Sequence, residues 1–139
     1  MVFLNNFMRG KSYYGFTLIE LLVVVAIIGI ISAIGVIAYS GYKTSTEKKA
    51  AENSLRSIYL AQQEYKASIG NYFNAGCCTS TSTSNLVKNL FADVDNLTKQ
   101  EFYFGNTVSG DTFTLTARKK NNTCTITLTD KNIFNDSQC

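Results

Sequence analysis

Between Glu20 and Lys43 the chain carries no charged side chain. The stretch from Leu21 to Tyr42 is about 22 residues, enough for a helix to cross a hydrocarbon core about 30 Å thick. Inside a bilayer the backbone has to satisfy its own hydrogen bonds, so a lone segment of this kind has to be helical. The apolar character begins earlier, at Phe16, which leaves Glu20 four positions inside an otherwise unbroken hydrophobic helix. An ionisable group at the edge of a membrane span is costly and by default marks function. The bland alternative is a carboxylate that snorkels to the headgroup level.

The other residues narrow the class. A chain of 139 residues is one domain, or one small domain on a long anchor. Much of the 45% hydrophobic content lies between residues 16 and 42, and the remainder is rich in Thr, Ser and Asn, so its core is modest. Histidine is absent, which removes the commonest general base and metal ligand and any Ser-His or Cys-His pair. No catalytic residue, cofactor or metal site is expected. The formal charge of +3 includes Arg9 and Lys11, and from Phe16 onward eleven basic side chains face ten acidic ones. That balance predicts no general attraction for nucleic acid. Cys77, Cys78, Cys124 and Cys139 all follow the apolar run, and an even number in a small, weakly cored exported domain points to disulfides.

A secretory signal would have a shorter apolar core with a small-residue cleavage site after it. A plain single-pass anchor explains the run but neither the Gly15-Phe16 step nor Glu20. The basic leader with Arg9 and Lys11, then Gly15, Phe16, Glu20 and the long apolar segment, resemble in that order the processing site of type IV pilins and their relatives. The resemblance implies that prepilin peptidase cuts between Gly15 and Phe16 on the cytoplasmic side and methylates the new amine of Phe16. It implies too that Glu20 pairs with the N-terminal amine of a neighbouring subunit during assembly, since a buried charge is tolerable only when partnered. Arg9 and Lys11 before the span and Lys43, Lys48 and Lys49 after it leave the positive-inside count ambiguous. The cysteines and the resemblance place the C-terminal part outside.

The expected organisation is a leader at 1–15, a transmembrane and polymerisation helix at 16–42, and a globular head at 43–139. Gly29, Gly35 and Gly41 punctuate the span. They permit either close helix packing or a local loss of helicity in a filament. Many type IV pilins have a proline here; this chain has none, with Val36 and Ile37 in that region. After the span, Ala51, Leu55, Ile58, Gln62, Tyr65 and Ile69 recur at steps of three and four, one stripe of an α-helix ended by Gly70-Asn71. A helix from Phe16 to about Ile69 would be about 80 Å long.

Residues 74–85 read as a polar low-complexity loop within a variable segment at 70–100, with Leu86 to Phe91 a short apolar turn or helix. Phe102 to Phe104 reads as a short strand. Thr112 to Ala117 and Thr123 to Leu128 alternate with period two around a turn at 119–122, which predicts an antiparallel hairpin. Phe113, Leu115, Ala117, Cys124, Ile126 and Leu128 would face the helix stripe. The fold class is therefore α+β: a long N-terminal helix packed on a small antiparallel sheet, like the lollipop shape of pilins.

Four cysteines allow three full pairings, and the sequence does not choose among them. The resemblance favours Cys124–Cys139, whose closure of some fifteen residues would contribute about 3 kcal/mol. A Cys77–Cys78 bond is expected to be strained, so that one or both cross to Cys124 or Cys139.

The resemblance implies a structural subunit of a type IV pilus that polymerises with itself for adhesion, twitching motility or DNA uptake. Its partners would be prepilin peptidase, the inner-membrane assembly platform and, before assembly, the membrane. An alternative is a pseudopilin of a type II secretion system, although Asp130 and Asp136 are too sparse for the acidic calcium loop of that class. Another is a minor tip pilin touching a surface or DNA through Arg118, Lys119 and Lys120.

Overall fold

The computed structural model describes residues 15–121 and 124–137. Its elements are α1 (Leu18–Ile69), α2 (Ser80–Leu90), β1 (Phe102–Ser109), β2 (Thr112–Lys119), β3 (Thr125–Thr129) and β4 (Phe134–Ser137). The architecture is α+β, as the patterning predicts. Contacts divide the chain into two units, one ending at Ser40 and one beginning at Gly41.

In the first unit α1 is apolar on every side, and all residues from 15 to 40 are exposed. A helix hydrophobic all round and uncovered by its own chain meets the length and composition of a membrane span. Ser32 and Ser40 donate back to the carbonyls of Ile28 and Ile37, so their hydroxyls are satisfied without water.

In the second unit the remainder of α1 lays one stripe on the sheet. Ala51, Leu55, Ile58 and Gln62 are buried as expected, Tyr65 is half-buried, and Ile69 at the helix end is exposed. The sheet is an antiparallel meander in the order β1-β2-β3-β4. Its β2–β3 register sets Leu115 opposite Leu128 and Ala117 opposite Ile126. The period-two alternation then sends Phe113, Leu115, Ala117, Ile126 and Leu128 inward, and all are buried together with Cys124. Each large side chain buried here contributes about 1.5–3 kcal/mol. Tyr59 and Tyr72 pack on Phe113, with ring centroids 5.6 Å and 4.6 Å away.

Three elements differ from expectation. Residues 80–85 belong to α2 rather than a solvated loop. The Thr79 and Ser82 side chains cap each other's backbone N–H in a reciprocal capping box, and Ser82, Thr83, Leu86 and Val87 form its buried face. The hydroxyls of Ser82 and Thr83 both donate to the Phe104 carbonyl, and Phe104 N–H donates to Thr83, so α2 closes the edge of β1. β1 also runs on to Ser109, and beyond the expected hairpin a further strand, β4, pairs along β3.

Gly105 sits where the 76–78 segment crosses β1. A Cβ there would clash with the Gly76 carbonyl and lie 2.7 Å from Cys77 Cα. Asn106 N–H bonds the Gly76 carbonyl at 2.9 Å, which draws that segment onto the strand.

Candidate processing and assembly site

The residues around the candidate cleavage point are positioned by the start of α1. Gly15 and Phe16 precede the helix and are exposed, Phe16 at 89%. Thr17 caps α1. Its hydroxyl accepts from Glu20 N–H at 3.3 Å, while the Glu20 carboxylate accepts from Thr17 N–H at 2.8 Å and Thr17 Oγ1 at 2.7 Å. This is the T-x-x-E capping box, with Glu20 three positions past the cap. A carboxylate in the first turn also meets the positive end of the helix dipole. Both bonds to the carboxylate go to Oε2, and Oε1 is engaged by no described residue. Thr17 was missed in reading the sequence, although Thr17-Leu18-Ile19-Glu20 has the spacing that reveals it.

The arrangement is chemically simple. Outside the helix, the Gly15-Phe16 step presents a bond without a side chain on its first residue. Immediately after it, a helix begins with an anion fixed in its first turn. Such a site suits proteolysis followed by recognition of the new cation. The chain matches the family described as prokaryotic N-terminal methylation motif over residues 10–36. Its N-terminal segment carries that motif and is similar to those of type IV pilins and fimbrial proteins.

Relatives point the same way. The chain is 41% identical over 51 residues to the type IV major pilin protein PilA of Myxococcus xanthus, covering 37% of this chain and 23% of that protein. It is 39% identical over 70 residues to a fimbrial protein of Neisseria meningitidis, covering 50% of this chain and 38% of the relative. With a fimbrial protein of Pseudomonas aeruginosa it shares 42% identity over 53 residues, covering 38% and 34%. The matches thus span between 23% and 38% of these relatives' lengths. No solved structure matches. The likeness is to structural pilin and fimbrial proteins, a class without enzymes.

The other predicted residues lie in the second unit. Cys77 and Cys78 are bonded to each other, with Cys77 exposed and Cys78 buried against the Thr116 carbonyl at 3.7 Å. The expected crossing of either to Cys124 or Cys139 is therefore not made: the segment is held at β1 by the Gly76–Asn106 bridge. Cys124 is disulfide-bonded. Cys139, and with it the expected Cys124–Cys139 pairing, lies outside the described residues, as do leader residues 1–14.

Arg118, Lys119 and Lys120 do not form a free triplet. Strand alternation turns Lys119 toward α1, where it pairs with Glu47 at 2.9 Å. Arg118 and Lys120 remain exposed, Lys120 over the Tyr103 ring at 5.6 Å. The hydrogen bond from Lys119 holds the Glu47 carboxyl below its ordinary range, and Lys43 adds to this. At β4 the Lys48 ammonium pairs with Asp136, pushing that carboxyl down and its own pKa up.

Proposed function

We propose that the chain is processed between Gly15 and Phe16, methylated at Phe16, and polymerised through its N-terminal helix as the subunit of a surface filament. The observation that carries this reading is the capped carboxylate of Glu20 at the start of a wholly uncovered apolar helix, inside the methylation motif. Oε2 is occupied by Thr17, and Oε1 is left for the N-terminal amine of a neighbouring copy. That pairing offsets the cost of two charges in an apolar setting. Residues 1–15 act as the leader, 16–42 as membrane anchor and then filament core, and 43–139 as the head. Before assembly the chain is a single-pass inner-membrane protein with its N-terminus cytoplasmic, and its partners are prepilin peptidase, the assembly platform and itself.

Adhesion, twitching motility and DNA uptake all suit such a filament. The pseudopilin and tip-pilin readings require the same N-terminal chemistry. Contact with DNA has support from Arg118 and Lys120 beside Tyr103, but Lys119 is occupied by Glu47.

Mass spectrometry of filaments sheared from cells that make the protein natively tests the proposal. The expected dominant species begins at N-methylated Phe16. Filaments containing only traces of it would reassign the chain to a minor or pseudopilin role, and an unprocessed chain at Gly15-Phe16 would overturn the reading.

A further inference from the structure

Within the second unit, α1 and α2 flank a cavity of about 200 Å³ lined by Ala61, Glu64, Tyr65, Ser68, Asn89 and Leu90. Its polar groups are biased toward acceptors. The Ser68 hydroxyl spends its proton on the Tyr65 carbonyl at 3.0 Å, leaving lone pairs on Oγ. Asn89 Nδ2 donates one of its two N–H groups to the Asn85 carbonyl at 2.8 Å, and its Oδ1 is available as an acceptor. Glu64 supplies a carboxylate, the sole charged group in the lining, and among the described residues it has no ion pair. Beside these acceptors lie the Ala61 methyl, the half-buried Leu90 and the Tyr65 ring. That ring is held edge-on to Phe73 with centroids 5.7 Å apart.

We propose that this cavity binds an alkylammonium group, as presented by a lysine side chain or a small aliphatic amine. An ammonium carries three N–H donors and no acceptor, which matches a carboxylate, a hydroxyl oxygen and an amide oxygen. The alkyl stem packs on Ala61, Leu90 and the aromatic face, as lysine stems do on apolar surface. An anion would meet Glu64 unscreened, and a neutral alcohol lacks the charge.

The test uses the full chain in detergent micelles, with backbone amide NMR during titration by n-butylammonium chloride at constant ionic strength. Saturable shifts are expected at Glu64, Tyr65, Ser68 and Asn89, with an apparent Kd in the millimolar range. Butan-1-ol over the same concentrations should produce none. Glu64→Gln, at an exposed position, should weaken the apparent Kd roughly fivefold while the rest of the spectrum is unchanged. No saturable shift, equal shifts from butan-1-ol, or an unchanged Kd in Glu64→Gln would each overturn the proposal. Carbodiimide cross-linking of assembled protein then separates the sources. An isopeptide from Glu64 to a lysine of another copy identifies the ligand as a neighbouring subunit, and ammonium binding without that cross-link identifies a free amine. Because the titration uses dispersed chains, its failure leaves the filament reading standing.

Discussion

Gln62 of α1 and Asn106 of β1 both donate to one acceptor, the carbonyl oxygen of Phe73. Both amides are fully buried. Each also accepts from the same short segment, Gln62 from Phe73 N–H at 3.0 Å and Asn106 from Ala75 N–H at 2.8 Å. The extended chain after α1 therefore receives its backbone hydrogen bonds from two side chains instead of a strand ladder. Removing either amide strands buried groups, which costs more than an ordinary hydrogen bond contributes.

Asn106→Leu is accordingly expected to lower stability by about 2–4 kcal/mol, with Gln62→Leu similar. Because the Phe73 carbonyl keeps one of these two donors in either single variant and loses both in the double, the double variant should lose measurably more than the sum. Urea unfolding of the detergent-solubilised chain, followed by near-UV circular dichroism, measures all three. Additive losses would show that the two amides act separately.

At Gly105 the obstruction is backbone. Gly105→Ala drives a methyl into the Gly76 carbonyl and Cys77 Cα, neither of which can swing aside as a side-chain tip would. A loss of about 2–3 kcal/mol is expected. The β1 edge would also part from the 76–78 segment, raising amide hydrogen exchange at Asn106, whose N–H bonds Gly76.

Past α2 the chain turns through Ala92 and Asp93 at φ of 48° and 64°. Ala92 stands where helices most often end in glycine, with Asp93 N–H closing back on the Val87 carbonyl at 3.2 Å. Ala92→Gly should therefore stabilise the head by about 0.5–1 kcal/mol despite the greater freedom of the unfolded chain. The readout is thermal unfolding, where a lower midpoint would contradict the assignment of strain to this residue.

The ion pairs to α1 give a pH dependence with a definite sign. Glu47 titrates below the usual 4.5, chiefly through its hydrogen bond from Lys119, and Asp136 below 3.8 through that from Lys48. The native state binds fewer protons than the unfolded one, so this stability is present above about pH 4.5 and is lost as pH falls through the depressed values. Lys48, raised above 10.5, contributes at lower pH and loses its share as pH climbs past that value. The unfolding midpoint of Glu47→Gln should fall less steeply than wild type between about pH 4.5 and pH 2.5. Parallel curves would remove Glu47 from the acid response.

At the helix start, Thr17→Ala removes the hydroxyl that caps α1 and its bond to Glu20 Oε2, leaving only the bond from the backbone N–H of residue 17. It loosens the hold on Glu20 without removing the charge. Filament yield should fall several-fold with processing at Phe16 intact, whereas Glu20→Ala should abolish filaments. Unchanged yield in Thr17→Ala would show that the box does not orient Glu20.

Whatever repeats locally was legible in the residues themselves. The apolar run of α1, its later stripe at Ala51, Leu55, Ile58 and Gln62, and the alternation of β2 and β3 need only the helix and strand periods to be read. The N-terminal methylation motif was legible for the same reason, as an ordered string of neighbouring residues. Tertiary structure decided the rest, because each remaining feature depends on a group distant in sequence. Ser82 and Thr83 belong to a buried helix face because the Phe104 backbone at the β1 edge awaits their hydroxyls. Phe134–Ser137 becomes a strand because β3 offers an unpaired edge. Cys78 is held beside β1 because Gly105 has no side chain there, and Lys119 is an ion-pair partner because β2 ends beside Glu47. Periodicity is written along the chain, but a hydrogen bond or ion pair between distant residues exists only once packing brings them together.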